Sequence, residues 1–340
     1  MRRSRVRVDG EGYYHVMSRC ALQERLLSGE AKGMFLRMLR RAERFSGVRV
    51  LDYCVMDNHF HLLVKVPKRR EVPDGELDER VRALYGEARA ERMFARWGLL
   101  ADAGGGAAVV RERDALRKRM YDLSEFMKTF KQRFSLWYCS NHGNLEGTIW
   151  QGPFHSVLVE GSRDALGAVS SYIALNPVRA GLVRDPGEYA WSGYGAACAG
   201  DAAAKSALAS EFGGRRPEAE RWNAFRARVA ADAAECLALM DGAAEAPEPE
   251  RSANRRGTRV SGKAAAGTPP VRHGGTGKAG AGPARRDRDV SRGVAFGSEA
   301  FVRAAIAAAS RTAVVRTRPR AFGPEGGRTA LYCAGRCRMA

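Results

Sequence analysis

Residues 48–66 read VRVLDYCVMDNHFHLLVKV. The runs Val48 to Met56 and His59 to Val66 favour β structure, and Asp57-Asn58 between them tolerates turn backbone, so the stretch predicts two strands joined by a tight turn. Alternate side chains of a strand share a face, so His59 and His61 project together while Phe60 and Leu62 face the other way. At ~3.3 Å of rise per residue the two imidazoles stand ~7 Å apart along the strand, from where both can converge on one divalent ion. Imidazoles alone favour zinc or another transition metal, whereas an added amide or carboxylate oxygen with open water positions suits Mn or Mg. The competing reading is a hairpin with two idle histidines. Against it, the pair opens an otherwise apolar strand, a poor place for an idle second imidazole.

Around this hairpin, YYHVMS at 13–18 reads as a strand. Phe35, Leu36, Leu39, Ala42 and Phe45 give Ala31 to Ser46 a helical period that stops before Gly47. Residues 68–107 are charged and then Gly/Ala-rich, which suggests short helices outside the core. From Arg111 to Tyr138, Leu116, Met120, Leu123, Met127, Phe130, Phe134 and Trp137 step by three or four and predict one long amphipathic helix whose other face carries Arg117, Lys118, Lys128, Lys131 and Arg133. Thr148 to Glu160 reads as a further strand. Ser162 is suited to N-cap a helix running to about Leu175, which Pro177 ends. One more helical stretch spans about Glu218 to Leu239.

The chain has 340 residues and a formal net charge of +19. Residues 241–340 hold 19 Lys/Arg against 8 Asp/Glu, so much of the excess sits in that tail. Such charge suits phosphate contacts or simply solubility. Residues 251–293 carry eleven Lys/Arg and two acidic residues among Gly, Ala, Pro and Ser, with too little apolar surface to offset ordering entropy, and are expected to be disordered. FVRAAIAAA predicts a short helix over Ser298 to Ser310. Seven cysteines without paired spacing argue against a disulfide framework. With no signal peptide or membrane span legible, the expected location is cytoplasmic.

Tyr172 and Asn176, four apart, share a helix face if the last turn persists to Pro177. A phenol is a weak nucleophile at its free pKa of ~10, and a nearby cation stabilises the phenolate as it forms. The Asn176 amide oxygen is a candidate third protein ligand. By spacing alone Tyr172 reads first as an ordinary helix aromatic packing on the sheet, and Tyr138, with His142 four residues on, and more weakly Tyr121 compete for the nucleophile's role. Spacing leaves the choice open.

Five segments in order, YYHVMSR at 13–19, MDNHFHLLVKVP at 56–67, LSEFMKTFKQRFSLWY at 123–138, GTIWQGPFHSVLVE at 147–160 and YIALNPVRAGLV at 172–183, resemble the REP-associated tyrosine transposases of the His-hydrophobe-His (HUH) single-tyrosine transposase superfamily. The resemblance covers about residues 10–195. It implies an α+β fold with a central antiparallel sheet, ferredoxin-like, with packed helices, followed here by a largely disordered basic C-terminal tail. It also implies Tyr172 as the nucleophile and His59, His61 and Asn176 as ligands of a divalent metal ion, Mg or Mn. The implied activity is cleavage and strand transfer of single-stranded DNA at hairpin repeats through a 5′-phosphotyrosine intermediate. Pro153 and Cys139 stand where Arg and Asn are usual, and a Lys is usual near His155, departures that bear on DNA affinity more than on the chemistry.

The expected organisation is a transposase domain over 10–195 with a charged insertion at 68–107, a helical extension at 196–244, a basic linker at 245–295 and a short helical element and tail at 296–340. Lys128, Lys131, Arg133 and Arg179 are the expected DNA contacts, since backbone phosphates take such cations without sequence readout. Partners are then single-stranded DNA hairpins, with the chain a monomer or a homodimer and no membrane involved. The alternative is a domesticated binder of hairpin DNA that does not cut. A replication-initiator or relaxase nuclease fits the five ordered segments less well.

Overall fold

The computed structural model describes residues 8, 10–143, 148–211, 216–244, 295–310, 319–322 and 331–334. Its sheet has the order β2-β3-β1-β4-β5-β7-β6, built from β1 (Gly12–Arg19), β2 (Arg49–Val55), β3 (His59–Val66), β4 (His155–Val159), β5 (Ala295–Gly297), β6 (Pro319–Phe322) and β7 (Leu331–Ala334). The expected α+β architecture is present, with one difference. β4 and β5 pair in parallel while the other pairs are antiparallel, so the sheet is mixed.

The hairpin of β2 and β3 turns at Asp57-Asn58, held from outside by Leu27 N donating to Asp57 O and Cys20 N donating to Asn58 O at 2.9 and 2.8 Å. Phe60, Leu62 and Val64 face helix α1 (Gly29–Ser46) and α5 (Leu123–Asn141) in one core. Leu63 faces the opposite core, formed with α6 (Arg163–Ala174), α8 (Gly193–Cys198), α9 (Ala202–Glu211) and α10 (Glu218–Ala244). The period-2 alternation of β3 thus sorts its residues between two helical layers. Ser28 caps α1 through the Ala31 amide, and Gly47 ends it at φ 73.

The single long helix expected from Arg111 to Tyr138 is two helices. α4 (Gly106–Lys118) stops, Tyr121 takes φ 54, and Asp122 starts α5 by accepting from the Glu125 amide at 3.0 Å. The stepping apolar residues serve two cores: Leu116 and Met120 pack with Phe45, Leu77, Val81 and Trp97, whereas Phe126, Phe130 and Phe134 pack under the sheet. The first of these cores belongs to α2 (Asp74–Tyr85), α3 (Glu87–Leu100) and α4, and ion pairs from Arg113 and Arg117 to Asp74 tie α4 to α2. The strand expected over Thr148 to Glu160 is shorter, since only His155–Val159 joins the ladder and Trp150 makes a lone bridge to Cys20.

Most of the basic tail expected to be disordered, 245–294, lies outside the described residues. Beyond it, among the described residues, β5 extends the sheet beside β4, and α11 (Glu299–Ser310) packs Val302 and Ala305 into the α1/α5 core. Among the described residues no helix is long and apolar enough to cross a membrane.

Candidate active site and metal centre

The opening of β3 places His59 and His61 on the sheet face that looks toward α6, with ring centroids 5.1 Å apart. His61 is 1 % exposed. Burial drives both rings toward the neutral form: His59 is pushed down to about 4, helped by the Arg19 charge and opposed by Asp57, and His61 falls well below its ordinary value. Neutral imidazoles keep a lone pair for a cation. Asn58 Oδ1 lies 2.7 Å from His59 Nδ1; an oxygen there only accepts, so His59 carries its proton on Nδ1 and presents Nε2 as the donor atom.

Tyr172 stands on α6, facing this pair. Its ring meets the edge of His61 at 5.7 Å and of His15 at 5.6 Å, and the Arg179 guanidinium lies over it at 4.8 Å. Tyr138 is elsewhere. It belongs to the core on the opposite sheet face, stacks on His142 at 4.2 Å, and burial raises its pKa. Tyr121 packs between Arg70 and Arg80 beside α2.

The helix was expected to run to about Leu175 and to end ahead of Pro177, and α6 does end at Ala174. A short turn, α7 (Asn176–Arg179), follows α6 directly with Pro177 in its first positions. Proline brings no N–H for the Ile173 carbonyl. The Asn176 side chain substitutes, with Nδ2 donating to Tyr172 O at 2.8 Å and Ile173 O at 3.4 Å, and Arg179 Nη1 also donates to Tyr172 O at 3.3 Å. The residue expected as a ligand therefore also caps the helix that carries Tyr172, and its nitrogen is committed to that cap.

The three cations expected on α5 do not act as one surface. Lys128 is exposed and pairs with Glu125 at 3.7 Å. Lys131 is largely covered, donating to Ser18 Oγ and Gly152 O at 2.8 Å each, and burial lowers it to about 8. Arg133 reaches the end of α2, donating to Leu84 O at 3.0 Å and lying over Tyr85.

One site residue escaped the sequence reading. His15, 1 % exposed, lies against His61 with rings near parallel at 15° and a 2.9 Å contact from Nε2 to His61 Nδ1. The signal is its place in YYHVMSR: β1 pairs Met17 with His61 and His15 with Leu63, which puts His15 diagonally beside His61 on the same face.

For the divalent ion implied by the resemblance, this face offers two neutral imidazoles, and the expected amide ligand, Asn176, caps the helix that carries Tyr172. Among the described residues no group of three or more His, Cys, Asp and Glu is arranged to hold a metal, so any site depends on Asn176 or water to complete it.

Residues 10–76 match the family described as Transposase IS200 like, a span that contains His15, His59 and His61 and stops before Tyr172. No curated protein matches. Among solved structures, the chain is similar to a REP-associated tyrosine transposase bound to a REP hairpin, at 15 % identity over 59 % of this chain and 86 % of that one, TM-score 0.38. It is also similar to a protein of Deinococcus radiodurans R1 classed as a transposase, at 16 % identity over 47 % and 87 % of the two chains, TM-score 0.25. At these scores neither likeness carries functional weight.

Proposed function

We propose that this chain cuts and rejoins single-stranded DNA beside hairpin repeats, with Tyr172 as nucleophile. The observation that carries the reading is the meeting of Tyr172, from α6, with the His61 edge at 5.7 Å beneath the Arg179 guanidinium. His59 and His61 through Nε2, and Asn176 through Oδ1, would hold the ion. When bound, a divalent ion neutralises a phosphate oxygen and aligns the scissile bond. The Tyr172 hydroxyl gives up its proton as its oxygen bonds to phosphorus, and the departing 3′ oxygen takes up a proton, leaving a 5′-phosphotyrosine and a free 3′-hydroxyl. Arg179 over the ring favours the charge that develops on the phenol oxygen. Lys128 is the exposed cation on α5 suited to a backbone phosphate, with Lys131 and Arg133 shaping that surface from partly covered positions.

The test incubates the purified chain and labelled single-stranded hairpins with Mn or Mg and resolves covalent adducts on denaturing gels. An adduct that disappears in Tyr172→Phe is expected. One that persists there and disappears in Tyr138→Phe overturns the assignment. Hairpin binding without any adduct in the unmodified chain makes it a non-cleaving binder.

A further inference from the structure

His59 and His61 both have a polar neighbour at Nδ1, but the neighbours differ. Asn58 Oδ1 can only accept, and fixes the His59 proton at Nδ1. At His61 the neighbour is another imidazole, His15, whose Nε2 can accept or donate. The direction of that one bond decides whether His61 can serve as a ligand. If His15 donates, the His61 proton sits on Nε2 and blocks the atom that would face an ion. If His15 accepts, His61 is protonated at Nδ1 and its Nε2 lone pair is open.

We infer that His15 is a positioning residue which accepts from His61 Nδ1 through its own Nε2, holding His61 in the tautomer and rotamer that present Nε2 beside His59. The assignment rests on the reading of the histidine pair as a metal centre. Three observations support it. Both rings are 1 % exposed, so no water competes for the bond. They lie near parallel, with centroids 5.1 Å apart, so His61 cannot rotate without displacing its neighbour. And the His15 and Tyr172 rings meet edge to face with centroids 5.6 Å apart, so one side chain on β1 lies against both the ligand ring and the nucleophile ring. Ligand histidines are commonly oriented this way by a group on the second nitrogen.

Two measurements test it. The chain has six histidines, few enough for long-range proton–nitrogen correlation spectra to assign each tautomer without metal. His61 is expected with its proton on Nδ1; a proton on Nε2 overturns the proposal. Separately, manganese affinity is read by electron paramagnetic resonance. His15→Phe, which keeps the ring and removes the acceptor, is expected to weaken binding about 10–100-fold; His15→Gln, whose amide oxygen reaches the place of Nε2, is expected to restore most of it. Phenylalanine at unchanged affinity, or glutamine as weak as phenylalanine, removes the role of His15 alone. If His59→Ala binds manganese as tightly as the unmodified chain, the metal reading of the pair falls and this assignment with it.

Discussion

The Lys32 ammonium lies 2.6 Å from Asp57 Oδ1 and joins α1 to the turn that launches His59. The same ammonium donates to Tyr189 Oη at 3.1 Å, and that hydroxyl donates to Val55 O at 2.8 Å. The two partners are unequally covered, the lysine side chain 7 % exposed and the aspartate 32 %. Removing the aspartate strands a charge in the interior, whereas removing the lysine leaves a carboxylate that water reaches. Asp57→Ala is expected to cost about 3 kcal/mol and Lys32→Met about 1 kcal/mol in denaturant unfolding. Equal losses would mean that the pair is held by packing and not by charge.

Asp52 sets a second expectation, this one in pH. It lies buried on β2 toward α6, and burial pushes its carboxyl from 3.8 up to about 7. The nearby Ser170 hydroxyl opposes that rise, and so, to a smaller extent, does the Tyr53 amide, which donates to Oδ1 at 2.7 Å. Below pH 3.8 folded and unfolded chains are both protonated there. Between 3.8 and about 7 the unfolded chain loses the proton first, so stability falls as pH rises and then levels. Asp52→Asn should match the unmodified chain at pH 4 and exceed it by about 2 kcal/mol or more at pH 8. Taking the difference between the two proteins cancels the opposite, acid-side contribution of His59. A gain that does not grow with pH would place the carboxylate's charge elsewhere than in the interior.

Arg179 over Tyr172 gives a kinetic expectation. If the guanidinium stabilises the forming phenolate, Arg179→Ala slows single-turnover adduct formation about 100-fold, while affinity for the hairpin drops only by the loss of one phosphate contact. Arg179→Lys keeps the charge but loses the planar stack, and falls between. An unchanged adduct rate with weakened binding would reassign Arg179 to holding DNA.

Gly47 closes α1 at φ 73, and a Cβ there would stand 2.6 Å from Cε1 of Tyr121. Gly47→Ala is expected to cost about 2 kcal/mol or more, from the left-handed backbone together with the clash. In a double-mutant cycle with Tyr121→Ala only the clash is relieved. Full recovery in that cycle would show that the backbone conformation itself carries no cost.

Much of this site could be read in the chain before folding. His59 and His61 follow from strand alternation, and Tyr172 and Asn176 from helical spacing, because each pair is set by local geometry. The choice between Tyr172 and Tyr138 was not local: spacing left it open, the ordered segments pointed to Tyr172, and the fold sets Tyr172 against His61 while Tyr138 packs on the other sheet face. His15 was hidden for the same reason, since its link to His61 runs diagonally across the β1–β3 ladder. The break between α4 and α5 was partly legible. Asp122 and Glu125 have the spacing of a helix start, but the apolar period continued through the break because two cores take up successive turns of one pattern.

The parallel pairing of β5 with β4 has a consequence during synthesis. β4 is complete at Val159, and its outer edge finds a partner only when Ala295 and Phe296 arrive. At ~5–20 residues per second, the ribosome takes on the order of ten seconds to reach them. For that interval a nascent chain with its histidine hairpin already translated offers an open strand edge to its neighbours, a template for pairing between molecules. A chain cut short after α10 would keep that edge open permanently.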